Sequence, residues 1–219
     1  MFRDLLGLIR HPCGALRVID YERSPRQGLL ALSLSILLPA LVAELAALGP
    51  FRPPAELGSL PSLTGQGADL YARWTYQHRF QLPVLGLLLS LVLWAMAALV
   101  IHAIARAVGG RGSYAGFLKL VGYAALLGLL ALPFGLLDAL VRLAGNSRLE
   151  ASSGQLAGLV AIAVFAWQNL VLVLAARQHY GITTPRAVGA VIGPVGGVAV
   201  LLLALVILVA IVFVLGQTV

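Results

Sequence analysis

The chain has 219 residues, of which 60% are hydrophobic and 11% charged, and its mean hydropathy is +0.97. A soluble domain carries about 25% charged residues, and here the apolar residues fall in long blocks, so a water-soluble enzyme or carrier is excluded and an integral membrane protein fits. The net charge of +7 comes from 15 Lys+Arg, all but Lys119 arginine, against 8 Asp+Glu; these cations sit between apolar blocks and point to membrane orientation and anionic headgroups rather than nucleic acid.

In chain order, residues 2–9 read FRDLLGLI and place Phe2, Leu5, Leu6 and Ile9 on one helical face, with Arg3 and Asp4 elsewhere. That is the pattern of a short amphipathic helix lying in the membrane interface. Ser24-Pro25-Arg26-Gln27 reads as a capping box with proline at the first helical position. Five apolar spans follow, Leu29–Gly49, Leu82–Ala105, Tyr114–Leu132, Leu156–Ala176 and Ala187–Val214. Each has roughly the 20 residues needed to cross a bilayer. A first apolar block that begins only at Leu29 argues against a cleaved signal peptide.

The loop 50–81 opens with Pro50, Pro53, Pro54 and Pro61, then offers Tyr71, Trp74, Tyr76 and Phe80 as anchors at headgroup level. Gly109 and Gly181 stand where a helix C-terminal glycine is expected, and Thr184-Pro185 opens the last span. Pro133 is expected to end or kink the third span, with FGLLDALVRLAG bending into the interface. The predicted fold is all-α: one domain over residues 1–219, with a lead at 1–27 and a five-span bundle at 28–215.

Ten cations lie on the side of the N-terminus and of the second and fourth connections, and five (Arg52, Arg73, Arg79, Arg142, Arg148) lie on the other. The positive-inside rule puts the N-terminus in the cytoplasm and the C-terminus outside.

The stretch GGRGSYAGFLKLVGYA, residues 109–124, has the clustered glycines and cations of a phosphate cradle. It lacks the preceding strand and the Gly-Lys-Ser/Thr ending of a Walker loop, and GxGxxG fails as written. The structural reading is a tight turn, with Gly109-Gly110 ending one helix and Ser113 capping the next. The competing reading is an anionic-lipid site built from Arg111, Lys119, Arg177 and Arg186.

The same stretch, a glycine-rich turn followed by Gly-Ser-aromatic and FLKLVGYA, resembles the Yip (Ypt-interacting protein) domain family. The lead LLGLIRHPCGALRVID, with Pro12, and the last connection ARQHYGITTPRAVGAVIGP are similar to it as well. The resemblance covers nearly the whole chain. It implies five helical spans with a cytoplasmic N-terminus. Eukaryotic members are linked to Rab-type GTPases and vesicle traffic; the arginine-, alanine- and leucine-heavy usage here points to the prokaryotic branch and the inner membrane.

Three ionisable residues fall within or beside the spans. Glu44 and Asp138 lie near their outer ends, where reaching the interface or pairing with Arg142 or Arg52 is the stronger reading. His102 lies near an inner end and reads as a hydrogen-bonded packing residue before a proton carrier. Trp94, Tyr123, Gln168 and Asn169 fall in one layer near the bilayer middle, as interhelical glue or as a substrate site. Gly189, Gly193 and Gly197 stand at i, i+4 and i+8, a stripe for close helix contact. Cys13 is the one cysteine, so no intrachain disulfide forms, and no metal-ligand spacing or catalytic grouping stands out.

The expected function is a non-enzymatic membrane organiser or accessory subunit, without cofactor, that packs against lipids, other membrane proteins or a second copy. The alternative is a small transporter or permease component using Glu44, His102 and the Gln168/Asn169 layer.

Overall fold

The computed structural model describes residues 1–49, 73–145 and 147–194, and every regular element among them is helical. Two short helices, α1 (Phe2–Arg10) and α2 (Pro12–Glu22), come first. They are separated at His11, where φ −140° and ψ 67° break the helix and Pro12 starts the next. Next come α3 (Pro25–Ala47) and, after a helical turn at 73–77, α4 (Gln81–Ala107). Helix α5 (Tyr114–Ala125) passes through a 3₁₀ stretch (Leu126–Ala131) into α6 (Leu132–Ala144), and α7 (Ser147–Tyr180) follows. A last helix, α8, is described over residues 184–194.

The expected capping box is present: the Gln27 backbone N–H donates to Ser24 Oγ at 3.4 Å, and the Ser24 N–H donates to Gln27 Oε1 at 3.1 Å. Gly109 adopts φ +95°, which releases the chain from α4. Ser113 accepts the Gly116 N–H at 3.2 Å and so caps α5.

Four of the described helices are long and apolar enough to cross a membrane: Pro25–Ala47, Gln81–Ala107, Tyr114–Ala144 and Ser152–Tyr180. Of the predicted fifth span, Ala187–Val214, the described part is 187–194; Gly197 lies outside the described residues. So do the loop prolines and Tyr71. A Cβ added at Gly189 or Gly193 would meet nothing within 4 Å.

The third span is longer than the expected Tyr114–Leu132, and the expected break at Pro133 falls at the joint between the 3₁₀ stretch and α6. Pro133 stands in the first turn of α6, where its missing N–H has no helical partner to lose, and the 3₁₀ stretch before it absorbs the change of pitch. The 31 residues of Tyr114–Ala144 therefore form one candidate span. It runs beside α3 in the same direction, with Lys119 and Gly122 next to Gly28 at one end and Arg142 next to Gly49 at the other.

This pairing begins with a backbone-to-backbone contact. A Cβ built on Gly122 would overlap the Gly28 carbonyl oxygen, and one on Gly28 would lie 2.5 Å from Lys119 Cα. Neither position admits any side chain.

At 34 residues, α7 is about 50 Å long, well beyond the roughly 30 Å of hydrocarbon. The excess is covered by α1 and α2. Leu8, Leu16 and Ile19 are fully buried in one cluster with Phe117 and Leu120 of α5 and Val171, Ala175 and Ala176 of α7. Burying three such side chains contributes on the order of 5–8 kcal/mol as an upper estimate. On α1 the buried positions are Asp4 and Leu8; Leu5 and Ile9 are partly buried, and Phe2 and Leu6 stay exposed. Away from this platform the bundle exposes apolar side chains, with Leu88 and Val92 on α4 and Leu159 and Ile162 on α7.

The glycine contact gives a direct expectation. Gly122→Ala should lower stability by about 1–3 kcal/mol or more, since overpacking against backbone cannot relax by a rotamer change. Gly158→Ala, whose Cβ would meet nothing within 4 Å, should be neutral or gain up to about 1 kcal/mol from helix propensity. Thermal unfolding of both variants in the same detergent separates the two effects.

Candidate functional site

The densest polar cluster lies where α1 and α2 meet the ends of α5 and α7. Lys119 is only 6% exposed. Its Nζ donates to the carbonyl oxygens of Asp20 at 2.5 Å and Arg23 at 3.1 Å, and lies 3.7 Å from Asp20 Oδ1. It thus takes up carbonyls left free at the C-terminal end of α2, where a cation also meets the favourable end of the helix dipole.

His179 approaches the same carboxylate from α7. Its Nδ1 is 3.1 Å from both Asp20 oxygens, and its Nε2 is 2.9 Å from the Ser113 carbonyl. Both ring nitrogens therefore face acceptors; a neutral ring donates to one of them and a protonated ring to both. Asp20 is the meeting point, holding α2 to α5 through Lys119 and to α7 through His179.

The glycines of residues 109–116 make this approach possible. A Cβ on Gly112 would overlap the His179 ring and lie 2.7 Å from Tyr180 Cδ1; one on Gly116 would lie 2.5 Å from His179 Cε1; one on Gly110 would lie 2.6 Å from the Ala105 carbonyl. The backbone N–H of Arg111 donates to the Tyr180 carbonyl at 3.1 Å and closes the end of α7. In geometry the stretch is a turn that receives two aromatic rings.

The four cations named for an anion site are placed apart in role. Lys119 turns inward to α2, and Arg186 donates to the Val108 carbonyl at 3.1 Å. Arg111 and Arg177 are exposed. His102 Nδ1 lies 2.7 Å from the Tyr180 hydroxyl, within an aromatic group that includes Tyr114 and Phe117.

Within the spans, Gln168 is buried and donates to the Ala125 carbonyl at 3.1 Å, at the junction where α5 tightens into the 3₁₀ stretch. Asn169 donates to Phe165 of its own helix at 2.8 Å. Trp94 and Asn169 both line a cavity of about 240 Å³, and Tyr123 is fully buried. Glu44 is partly buried near the end of α3. Asp138 accepts from Arg142 Nε at 2.9 Å and from the Ser153 hydroxyl at 2.8 Å.

A second ion pair, Asp4 with Arg23 at 2.8 Å, fastens α1 to the start of α3. Burial works to raise the Asp4 carboxyl, but the Arg23 guanidinium and the Met1 amino group outweigh it and hold the carboxyl below its ordinary value. Arg23 is raised by the same hydrogen bond. Reasoning from the sequence missed Gly28, Gly122 and Asp20. The available signal was an isolated glycine inside an apolar helix, which costs about 1 kcal/mol against alanine and so calls for a packing reason.

Three outcomes follow. Lys119→Met should expose residues 1–23 to protease and lower stability by about 3 kcal/mol, since its charge-assisted bonds have no replacement. Asp4→Asn should lower thermal stability at pH 7. Because the folded-state value is depressed, the Asp4 contribution is present above the ordinary value of 3.8 and fades as pH falls through the folded value; the difference between wild type and Asp4→Asn should therefore vanish in acid. Gln168→Leu should cost no more than about 2 kcal/mol, measured by unfolding in detergent.

The Yip1 domain family model matches residues 6–216. No curated protein and no solved structure matches the chain. The family match takes in α1 from Leu6, all of α2, the Asp20–Lys119–His179 cluster and all of the described spans, and the chain belongs to the Yip1 domain family of membrane proteins.

Proposed function

We propose that this chain is a non-enzymatic, five-span membrane organiser or accessory subunit that works by packing against other membrane proteins and lipids. The reading rests on α4. Of its most apolar 18-residue window, 11% is buried, and Val84, Leu85, Leu88, Val92, Leu93 and Met96 are exposed along it. Among the described residues little of this helix is committed to the bundle, which leaves an apolar face for other spans or for lipid. The polar groups of the spans, by contrast, are largely turned inward: Gln168, Asn169, His102 and Asp138 all bond to this chain's own backbone or side chains.

The remaining expectations extend the same reading. Residues 187–214 form a fifth span, and Phe2 and Leu6 lie in the interface beside exposed Arg3 and Arg10. The cation count supports a cytoplasmic α1–α2 platform, and the arginine-, alanine- and leucine-heavy usage supports a prokaryotic inner membrane. The transporter alternative draws on the cavity of about 240 Å³ that reaches Trp94 and Asn169; neither Glu44 nor His102 lines it.

Two experiments test these statements. Photo-crosslinking side chains at Leu88 and Val92 should capture neighbouring membrane proteins in native membranes, while one at buried Ala98 should not. Crosslinks to lipid alone at Leu88 and Val92, together with solute flux through vesicles holding only this protein, would transfer the weight to transport. For orientation, cysteines placed at Gln66 and Ser147 in a Cys13→Ser background should react with an impermeant thiol reagent from outside, and one at Arg177 should be protected. The reverse pattern overturns the proposed topology.

A further inference from the structure

At the end of the bundle away from the α1–α2 platform lies a cavity of about 820 Å³ between α3, the start of α4, α6 and α7. That volume is within the range of about 300–1,000 Å³ typical of ligand sites. Its walls are made of small residues, among them Ala43, Ala131, Gly135, Ala157, Gly158 and Ala161. Small residues in membrane helices ordinarily let backbones touch, as at Gly28 and Gly122. Here they do not. A Cβ on Gly158 would meet nothing within 4 Å, and one on Gly135 would meet only Val42 Cγ1, at 3.9 Å. The same residue types that close the helix pair at one end leave a space at the other.

The space has a charged rim. Asp138 and Arg142 line it and pair at 2.9 Å, with Glu150 Oε1 4.0 Å from the same Arg142 nitrogen. Arg79 also lines it, and among the described residues no carboxylate pairs with it. The Arg79 guanidinium is held over the Tyr76 ring at 4.0 Å and the Phe80 ring at 4.7 Å, and Nη1 donates to the Tyr76 carbonyl at 2.9 Å. Its Nε is shielded from solvent and has no hydrogen-bond partner among the described residues. A cation fixed by two aromatic rings stands beside an apolar chamber. Ala161, on the chamber wall, is itself exposed and lies between exposed Leu159 and Ile162 of the apolar band.

We infer that this cavity is a binding site for one anionic phospholipid of the leaflet opposite the α1–α2 platform, with an acyl chain against the alanine and glycine walls and the phosphate on Arg79. Arg79 decides the headgroup, since among the described residues no carboxylate pairs with it, while Asp138 and Glu150 share Arg142. Apolar walls continuous with the outer band decide in favour of a bilayer lipid over a soluble anion. The inference rests on the membrane reading above but not on the choice of inside and outside.

The test uses the full chain in mild detergent, stripped of lipid, with phosphatidylglycerol, phosphatidylcholine or glycerol phosphate added. Native mass spectrometry counts bound lipid and thermal unfolding reads its effect. Wild type should retain one phosphatidylglycerol with about a fivefold preference over phosphatidylcholine, and glycerol phosphate should not stabilise it. Arg79→Gln should lose the preference. Ala131→Leu and Ala161→Leu, which fill the chamber from the 3₁₀ stretch and from α7, should lose retention of both lipids; if either fails to fold, the other and Arg79→Gln decide. Arg111→Ala with Arg177→Ala, at the far end, should behave as wild type. Equal retention of the two lipids by wild type, or undiminished retention with the chamber filled, would overturn the inference. The crosslinking and labelling experiments above leave Arg79 and the chamber intact, so failure of the functional reading is seen separately.

Discussion

Between Gly28 on α3 and Gly122 on α5 there is no room for a single methyl group, and much of the bundle follows from that contact. It brings the Lys119 backbone against Gly28, just after the joint between α2 and α3. From there the Lys119 side chain needs only its own length to reach the carbonyls of Asp20 and Arg23. Once Asp20 is held, His179 of α7 finds its carboxylate. A steric constraint between two helices thus sets the position of a third and, through the platform, covers the apolar surface of a fourth.

Glycine and alanine serve two opposite purposes along the same pair of helices. Near the platform they permit backbone contact, and the adjacent polar groups are paired. Towards the other end, α3 and α6 remain neighbours, since Gly49 still faces Arg142. Between them, beside the 3₁₀ stretch, α7 presents Ala157, Gly158 and Ala161 without closing in, and the space is left lined by small side chains. Gln168 marks the boundary between the two regimes. It donates to the Ala125 carbonyl, and its amide nitrogen would lie 3.1 Å from a Cβ on Gly128.

Much of the fold was legible in the sequence because the bilayer narrows the choices: long apolar blocks can only be helices. The capping residues Ser24 and Ser113, and the glycines at 109 and 181, each mark an end by a local mechanism. Pro133 marks the joint where the 3₁₀ stretch passes into α6, and because its missing N–H falls in a first turn the helix resumes beyond it. The site was less legible. Asp20, Lys119 and His179 are far apart in the chain, and their meeting depends on a tertiary contact that sequence spacing does not encode. The role of glycines 110, 112 and 116 was half visible, since a turn was expected there, but the rings they accommodate come from residues 179 and 180.

The most direct test of this account is amide hydrogen exchange along the chain, comparing wild type with Gly122→Ala in the same detergent. If the Gly28–Gly122 contact carries the platform, the substitution removes protection from residues 12–23 of α2 and from the first turns of α3, while α6 and its partner segment of α7 stay protected. A change confined to residues 119–125, with α2 protected as in wild type, would show that the platform is held independently and would contradict the account.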